Sequence, residues 1–272
     1  MRLKINYAVA LSLFAILFLA IACFKKPPPR SVDKNGVPIG VTILLPRSVN
    51  NSEPEPAVLQ ESAVIVSVPQ NDQFFIGREH FEKGDLGYQL SRVLKTRPES
   101  NRIVYLAGGA YVDYDAVLWA IEALRKEGIK DVAMLVDRES KNGEAPSVLR
   151  VQIPAGRDPN EDVTQFLPTP LTLVVSMSRD LKLELNGQPS GTAIDPSNLS
   201  QTLNRIFQQR KEQHAYKRGL ETRSDLPEDE RVEKTITVKA RRSIKYGDVV
   251  RLVGAIKGAR ASPIILQVDD VP

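Results

Sequence analysis

The residues able to do chemistry are few in this chain and lie far apart. The 272 residues include two histidines, His80 and His214, and one cysteine, Cys23. A single cysteine cannot form an intrachain disulfide or a four-cysteine zinc site. No HExxH, GxSxG, GxxxxGK[ST] or GxGxxG motif occurs, and the bare pair Gly108-Gly109 is more typical of a turn than of a phosphate-binding loop. We therefore expect no metal and no cofactor.

Three aspartates stand near the ends of predicted strands, where catalytic carboxylates are found: Asp113, Asp115 and Asp137. A simpler interpretation applies to Asp113 and Asp115, which flank the start of a predicted helix. An anionic side chain there caps the backbone and is favoured by the helix dipole. His80 has no obvious partner in the sequence, and His214 falls in a charged stretch that we expect to be solvated. The sequence therefore favours a protein that is not an enzyme.

Composition and charge are those of an ordinary globular protein. Hydrophobic residues make up 42% of the chain and charged residues 26%, with a net charge of +4. The length suits about two domains of roughly 100–150 residues each. Acidic and basic residues are interspersed, and no continuous basic stripe carries interleaved aromatic residues. Nucleic acid is therefore not an expected partner.

The N-terminal segment predicts a membrane anchor. Ile5–Phe24 is apolar except for Asn6 and Ser12. Twenty residues at about 1.5 Å per residue span the roughly 30 Å hydrocarbon core of a bilayer. We expect a single-pass anchor over residues 1–25, followed by a linker over residues 26–38 that is rich in proline and basic residues.

Two alternatives to an anchor remain open for the same segment. Ala20-Ile21-Ala22 fits the small-x-small pattern of signal-peptide cleavage, which predicts secretion. The next residue, Cys23, is similar to the lipidated cysteine of a bacterial lipobox, although that motif normally has leucine where Ala20 stands. Cys23 is therefore a candidate lipidation site of a periplasmic lipoprotein.

The rest of the chain contains one order of elements twice. Hydrophobic periodicity predicts a hairpin, a helix, a strand, a second helix and a closing strand. In the first copy these are Ala63–Val68 with Phe74–Gly77, the helical face Leu86, Leu90, Val93 and Leu94, then Ile103–Ala107, Tyr114–Glu127 and Val132–Val136. In the second copy they are Leu171–Met177 with Lys182–Leu185, the face Leu199, Leu203, Ile206 and Phe207, then Thr235–Val238, Tyr246–Lys257 and Ile264–Val268.

The strongest part of the repeat predicts a duplicated α+β fold. Ile103–Asp137 aligns with Thr235–Asp269 without a gap at an offset of 132 residues; only five of 35 pairs are identical, but the apolar positions coincide. We expect two tandem two-layer modules, each a small mixed sheet with two helices on one face. The expected boundaries are 39–140 for the first module, 141–165 for a linker and 166–272 for the second module. Val148–Ile153 is expected as an extra edge strand, and Lys211–Val232 as a solvated loop or an extension of a helix.

An N-terminal span followed by this order of elements resembles the ExbD/TolR family of biopolymer transport proteins. In the first copy the residues that carry the resemblance are Val41–Ser48, Ile65–Val68, Phe75–Gly77, Val112–Val117, Gly128 and Val132–Val136. In the second copy, Val238–Arg241, Tyr246–Val250 and Pro263–Leu266 are closer still to the family pattern.

The resemblance implies modules in the periplasm and an anchor in the bacterial inner membrane. It also implies a polytopic partner of the ExbB/TolQ type, a TonB- or TolA-like protein, and a link to the proton-motive force. In the family an aspartate in the span handles the proton, but Ile5–Phe24 contains no Asp, Glu, Lys, Arg or His. The alternative is therefore an anchored interaction module that binds envelope proteins or peptidoglycan without proton coupling.

The duplication also predicts an interface. Family members typically carry one periplasmic domain and pair it with that of another chain. We expect the two modules here to pair within the chain, or the chain to form a homodimer. Scarce or non-reciprocal contacts between the modules would count against the first expectation. The candidate interface residues are Trp119, because an exposed tryptophan can mark an interface, and the equivalent pair Tyr114 and Tyr246.

Overall fold

The computed structural model describes residues 43–48, 54–60, 63–96, 104–137, 146–154 and 171–268. All of them belong to one compact unit. The expected anchor, the expected linker over residues 26–38 and Cys23 lie outside the described residues. Within the described ranges, no helix is both long enough and apolar enough to cross a membrane.

The expected α+β class with a mixed sheet is confirmed. The strands are β1 Val64–Gln70, β2 Gln73–Ile76, β3 Glu79–Phe81, β4 Val104–Gly108, β5 Asp131–Val136, β6 Ser147–Gln152, β7 Leu173–Met177, β8 Lys182–Leu185, β9 Gln188–Thr192, β10 Ile236–Ala240 and β11 Ile264–Leu266. The helices are α1 Leu86–Lys95, α2 Tyr114–Lys126, α3 Ser197–Glu212, the single turn α4 Glu228–Arg231 and α5 Tyr246–Gly258. A short 3₁₀ helix covers Pro56–Leu59.

The strands form one continuous sheet rather than two separate small ones. Its order is β3-β2-β1-β4-β5-β6-β11-β10-β7-β8-β9. Strands β1, β4 and β5 are parallel to one another, as are β7, β10 and β11. We call residues 43–137 the first half and residues 171–268 the second half. The strand order of the first half is reversed in the second half, and β6 lies between the two.

Strand β6 lies at the centre of the sheet, although its sequence predicts an edge strand. It pairs antiparallel with β5 over six residues and parallel with β11. Its alternate residues Leu149 and Val151 are buried on the helical side. A short alternating strand looks the same in sequence at an edge or at a centre, because the difference depends on what lies on its second side.

All four long helices pack on one face of the sheet. The main core contains their apolar faces and alternate strand residues from both halves. The expected helical faces are confirmed: Leu86, Leu90 and Leu94 are buried in α1, and Leu199, Leu203 and Phe207 are buried at the same spacing in α3.

The opposite face of the sheet is covered in the first half by residues 43–48 and 54–60, which we call the strap. Ile43, Leu45 and Val58 of the strap form a second core with side chains of β1, β4 and β5. Three backbone hydrogen bonds hold the strap in place. The N–H of Ala110 donates to the carbonyl oxygen of Leu44, the N–H of Asp137 donates to that of Pro46, and the N–H of Glu55 donates to that of Pro146.

Candidate functional site at the junction of the two halves

Two of the predicted interface residues lie where the halves meet. Tyr114 and Tyr246 are the first residues of α2 and α5, and their exposed fractions are 1% and 0%. The ring of Tyr246 lies over Gly108 at the end of β4, where an added Cβ would be 2.5 Å from a ring carbon. Glycine at position 108 is therefore required for this close approach.

The backbone contacts between the halves are reciprocal. We call residues 110–115 together with 242–247 the junction. Four hydrogen bonds cross it: Tyr114 N–H to Ile244 O at 2.7 Å, Tyr246 N–H to Val112 O at 2.8 Å, Asp115 N–H to Arg242 O at 2.9 Å, and Gly247 N–H to Ala110 O at 3.0 Å. Adding 132 to the first-half residue number and subtracting 132 from the second-half number converts the first bond into the second, and the third into the fourth. Such exchange is characteristic of an interface with two-fold symmetry.

Asp113 and Lys245 stand opposite each other at the centre of the junction, joined by an isolated antiparallel bridge. Lys245 Nζ lies 2.6 Å from Asp113 Oδ1. Asn71, in the turn between β1 and β2, donates to Asp113 Oδ2 at 2.6 Å and accepts from the Asp113 N–H at 2.9 Å. The hydrogen bond from Lys245 lowers the pKa of Asp113, and that from Asn71 adds to this effect, while partial burial opposes it. Asp113 is therefore a carboxylate at neutral pH and not a general acid.

A second ion pair crosses the junction beside the first. Arg242 Nη1 lies 2.8 Å from Asp115 Oδ1, and Arg242 Nη2 lies 3.1 Å from Glu122 Oε1. Asp113 and Asp115 flank the start of α2 as expected, at its N-cap position and in its first turn. The Asp113 carboxylate makes no capping bond there, so the expected capping is wrong for that side chain. The residues of the other half supply stronger, charged partners.

The two junction tyrosines are neutral phenols. Burial raises the pKa of Tyr114 and of Tyr246 well above the ordinary tyrosine value. The Tyr246 hydroxyl has no hydrogen-bond partner among the described residues. Both rings are therefore buried at the junction as neutral side chains.

Trp119 does not take part in the junction bonds. It packs partly buried against the main core, with Lys83 Nζ 4.1 Å from the centre of its ring. Its counterpart in the second half, Arg251, pairs with Asp248 inside α5 at 2.7 Å.

The remaining candidate residues are dispersed. His80 contacts the Phe75 ring edge-on at 5.1 Å, and Asp137 pairs with Arg47 of the strap at 3.7 Å. His214 has a side chain 70% exposed and lies 2.8 Å from the Tyr216 hydroxyl. Among the described residues, no group of three or more His, Cys, Asp or Glu side chains is placed to hold a metal ion.

Sequence reasoning missed Asn71, Arg242 and Lys245. One signal for Lys245 was available, because position 245 is the repeat equivalent of Asp113 and carries the opposite charge. Asn71 and Arg242 are positioned by pairing between distant segments, which no local pattern encodes. An open cleft beside the junction, at the carboxyl ends of β1 and β4, is lined by residues that include Leu44, Asn71 and Tyr111.

Comparison of the chain with protein-family models, with curated proteins and with solved structures finds no match.

Proposed function

We propose that this chain is a membrane-anchored, ExbD/TolR-like subunit of an envelope complex linked to the proton-motive force. Its periplasmic part is a tandem pair of modules, produced by duplication and paired within the chain. The modules are the interaction part of the subunit, and Ile5–Phe24 holds them to the inner membrane.

The observation that carries the proposal is the order of elements in the two halves. Each half consists of three antiparallel strands, a helix, a parallel strand, a helix and a further parallel strand. Two of the segments that carry the family resemblance, Ile65–Val68 and Tyr246–Val250, lie within β1 and at the start of α5.

The reciprocal junction supports duplication followed by pairing. Two unrelated α/β segments joined in one chain have no reason to exchange backbone bonds at a constant offset. Here both pairs of junction bonds obey the offset of 132 residues that aligns the sequences.

The partner must supply proton coupling in this proposal. A proton relay inside a bilayer needs a titratable group, and Ile5–Phe24 offers no Asp, Glu or His. An acidic residue of the polytopic ExbB/TolQ-like protein would then carry the proton, and the present chain would transmit or anchor the resulting movement.

Isolation of the chain from its own membrane tests the proposal. The full-length chain, tagged at its C-terminus and expressed at its native level, is solubilised in mild detergent and captured. We expect a polytopic ExbB/TolQ-like protein at a constant ratio to the chain. A matched sample with residues 1–25 exchanged for an unrelated single span should lose this protein. Recovery of the chain alone, with its membrane neighbours present, would contradict the proposal.

The second candidate function is an anchored envelope-binding module without proton coupling. The uncharged span and Cys23 are the observations that favour it. It predicts labelling of the chain by a palmitate analogue and loss of that label in Cys23→Ser. Absence of label, together with a retained segment 1–25 by intact mass, would argue against a lipoprotein.

A further inference from the structure

The two sides of the junction carry opposite charges. The first half contributes three carboxylates, Asp113, Asp115 and Glu122, and the second half contributes two cations, Arg242 and Lys245. The three ion pairs given above for these five side chains each join one half to the other, at 2.6 to 3.1 Å. In these pairs the carboxylates belong to the first half and the cations to the second.

The repeat equivalences show what the same surface would meet in a copy of itself. Position 113 is equivalent to position 245, so two first halves would place Asp113 against Asp113, and two second halves would place Lys245 against Lys245. Ala110 stands at the position equivalent to Arg242, so two first halves would also lack the cation that binds Asp115.

The same comparison applies to the positions of the carboxylates Asp115 and Glu122. Gly247 and Gly254 are the equivalents of Asp115 and Glu122, so two second halves would bring Arg242 against glycines. Symmetric pairing of like halves thus loses each attractive pair of the junction and gains a repulsive pair on the axis.

We propose that the junction is a discriminating interface that accepts only the unlike half. The backbone hydrogen bonds of the junction follow a two-fold pattern that any two halves could form. The charged side chains restrict this pattern to the pairing of a first half with a second half. Like-charge contacts suppress wrong partners in just this way. The junction is consequently not a surface through which like halves of two chains associate. The proposal rests on the duplication advanced above and not on the transport function.

A charge-swap cycle on the full-length chain in mild detergent tests the proposal. The variants are Asp113→Lys, Lys245→Asp and the double exchange. The readout is hydrogen–deuterium exchange of the junction amides, including those of Tyr114 and Tyr246. We expect each single reversal to raise the exchange rate about tenfold, and the double exchange to return it to within about twofold of the native rate.

Repeating the exchange measurement at high salt distinguishes charge repulsion from a steric defect as the cause of faster exchange. The effect of each single reversal should shrink at 0.5 M salt, where the Debye length falls to roughly 4 Å, because repulsion is then screened. Asp180→Lys provides a matched control, since Asp180 is 70% exposed in the turn between β7 and β8 and pairs within its own half. That variant should leave junction exchange unchanged.

Additive effects in the double exchange, or native exchange in both single variants, would overturn the proposal. If a reversal prevents folding, Asp113→Asn and Lys245→Gln carry the same comparison, and their combined effect should be smaller than the sum. No binding partner is used, so a negative result here leaves the co-purification test of the proposed function intact.

Discussion

Glycine at position 247 is required by the backbone of the opposite half. A Cβ there would lie 2.7 Å from the Ala110 carbonyl oxygen, the acceptor of the Gly247 N–H bond. That oxygen belongs to a paired backbone and cannot move without breaking the junction. We expect Gly247→Ala to lower the free energy of unfolding by about 1–3 kcal/mol, measured by urea denaturation.

The control for this change is Gly87→Ala. Gly87 occupies the equivalent first turn of α1, and an added Cβ meets no atom within 4 Å. Relief of the glycine penalty in a helix should stabilise the chain by about 0.5–1 kcal/mol. Destabilisation by both substitutions would show that the first helical turn, and not the junction, is sensitive to a methyl group.

The hydroxyl of Tyr246 destabilises the folded state, because it is buried without a hydrogen bond to the described residues. A buried polar group without a hydrogen bond destabilises by about 1–3 kcal/mol. Because the Tyr246 hydroxyl has no partner among the described residues, Tyr246→Phe should keep the packing and raise the thermal midpoint. A fall in the midpoint would indicate that the hydroxyl is bonded to an ordered water.

Asp113 makes the junction sensitive to acid. Its pKa is lowered in the folded state by Lys245 and Asn71, so its contribution to stability is present above the ordinary aspartate pKa of about 3.9 and is lost as pH falls through the folded value. We expect the stability difference between the native chain and Asp113→Asn to be constant from pH 7 to 5 and to shrink as the pH falls further. Urea midpoints across the acidic range provide the measurement, and a difference that grows as the pH falls would contradict it.

At the scale of elements, the strap explains why the two halves differ on the face opposite the helices. Side chains covered by the strap are apolar, and three of them have partly exposed, more polar equivalents in the second half: Tyr105 and Thr237, Ala107 and Lys239, and Leu135 and Gln267. The covered residues Ile65 and Ala133 correspond to Val174 and Ile265, which are partly exposed but apolar. The difference in polarity at the first three positions therefore follows from whether the side chain is covered by the strap or partly exposed.

Val58 fastens one end of the strap, where it is fully buried. We expect Val58→Ala to cost about 2 kcal/mol locally and to speed amide exchange at Glu55, Ala110 and Asp137. The neighbouring Leu59 is 39% exposed, so Leu59→Ala should leave these amides slow. Equal acceleration in the two variants would mean that Val58 packing does not hold the strap.

Elements with a strong period could be predicted from the sequence, and those defined by their neighbours could not. The faces of α1 and α3 follow from leucine and phenylalanine spacing alone, because helix burial repeats every three to four residues. Strands β3 and β9 were missed because Glu79–Phe81 is short and polar and Gln188–Thr192 contains proline and glycine. Each of these strands forms by pairing with the second strand of the hairpin that precedes it.

The candidate site likewise contains residues that could be predicted from the sequence and residues that could not. The tyrosine pair was recognisable because identity at equivalent positions stands out in a repeat with few identities. The burial of the two tyrosines depends on how the halves pack, which the hydrophobic pattern does not specify. The same is true of Asn71 and Arg242, which bind Asp113 and Asp115. The central place of β6 has the same cause, since only the assembled sheet gives that strand two neighbours.

At the scale of the whole molecule, the sheet and the main core run through both halves without a break. Strand β6 bonds to β5 and β11, and the core on the helical face includes residues of both halves. Separate unfolding of one half would expose the core of the other. We therefore expect one cooperative transition for the part of the chain that the structure describes.

Leu149 of β6 offers the test of this coupling. It is 1% exposed on the helical face, so Leu149→Ala should cost about 2–5 kcal/mol. The single tryptophan, Trp119, reports on the first half by fluorescence, whereas far-ultraviolet circular dichroism reports on helices of both halves. In urea the two signals should follow one curve in the native chain, and in Leu149→Ala both should move together to lower urea. A fluorescence transition displaced from the dichroism transition would mean that the halves unfold independently, with β6 belonging to one of them alone.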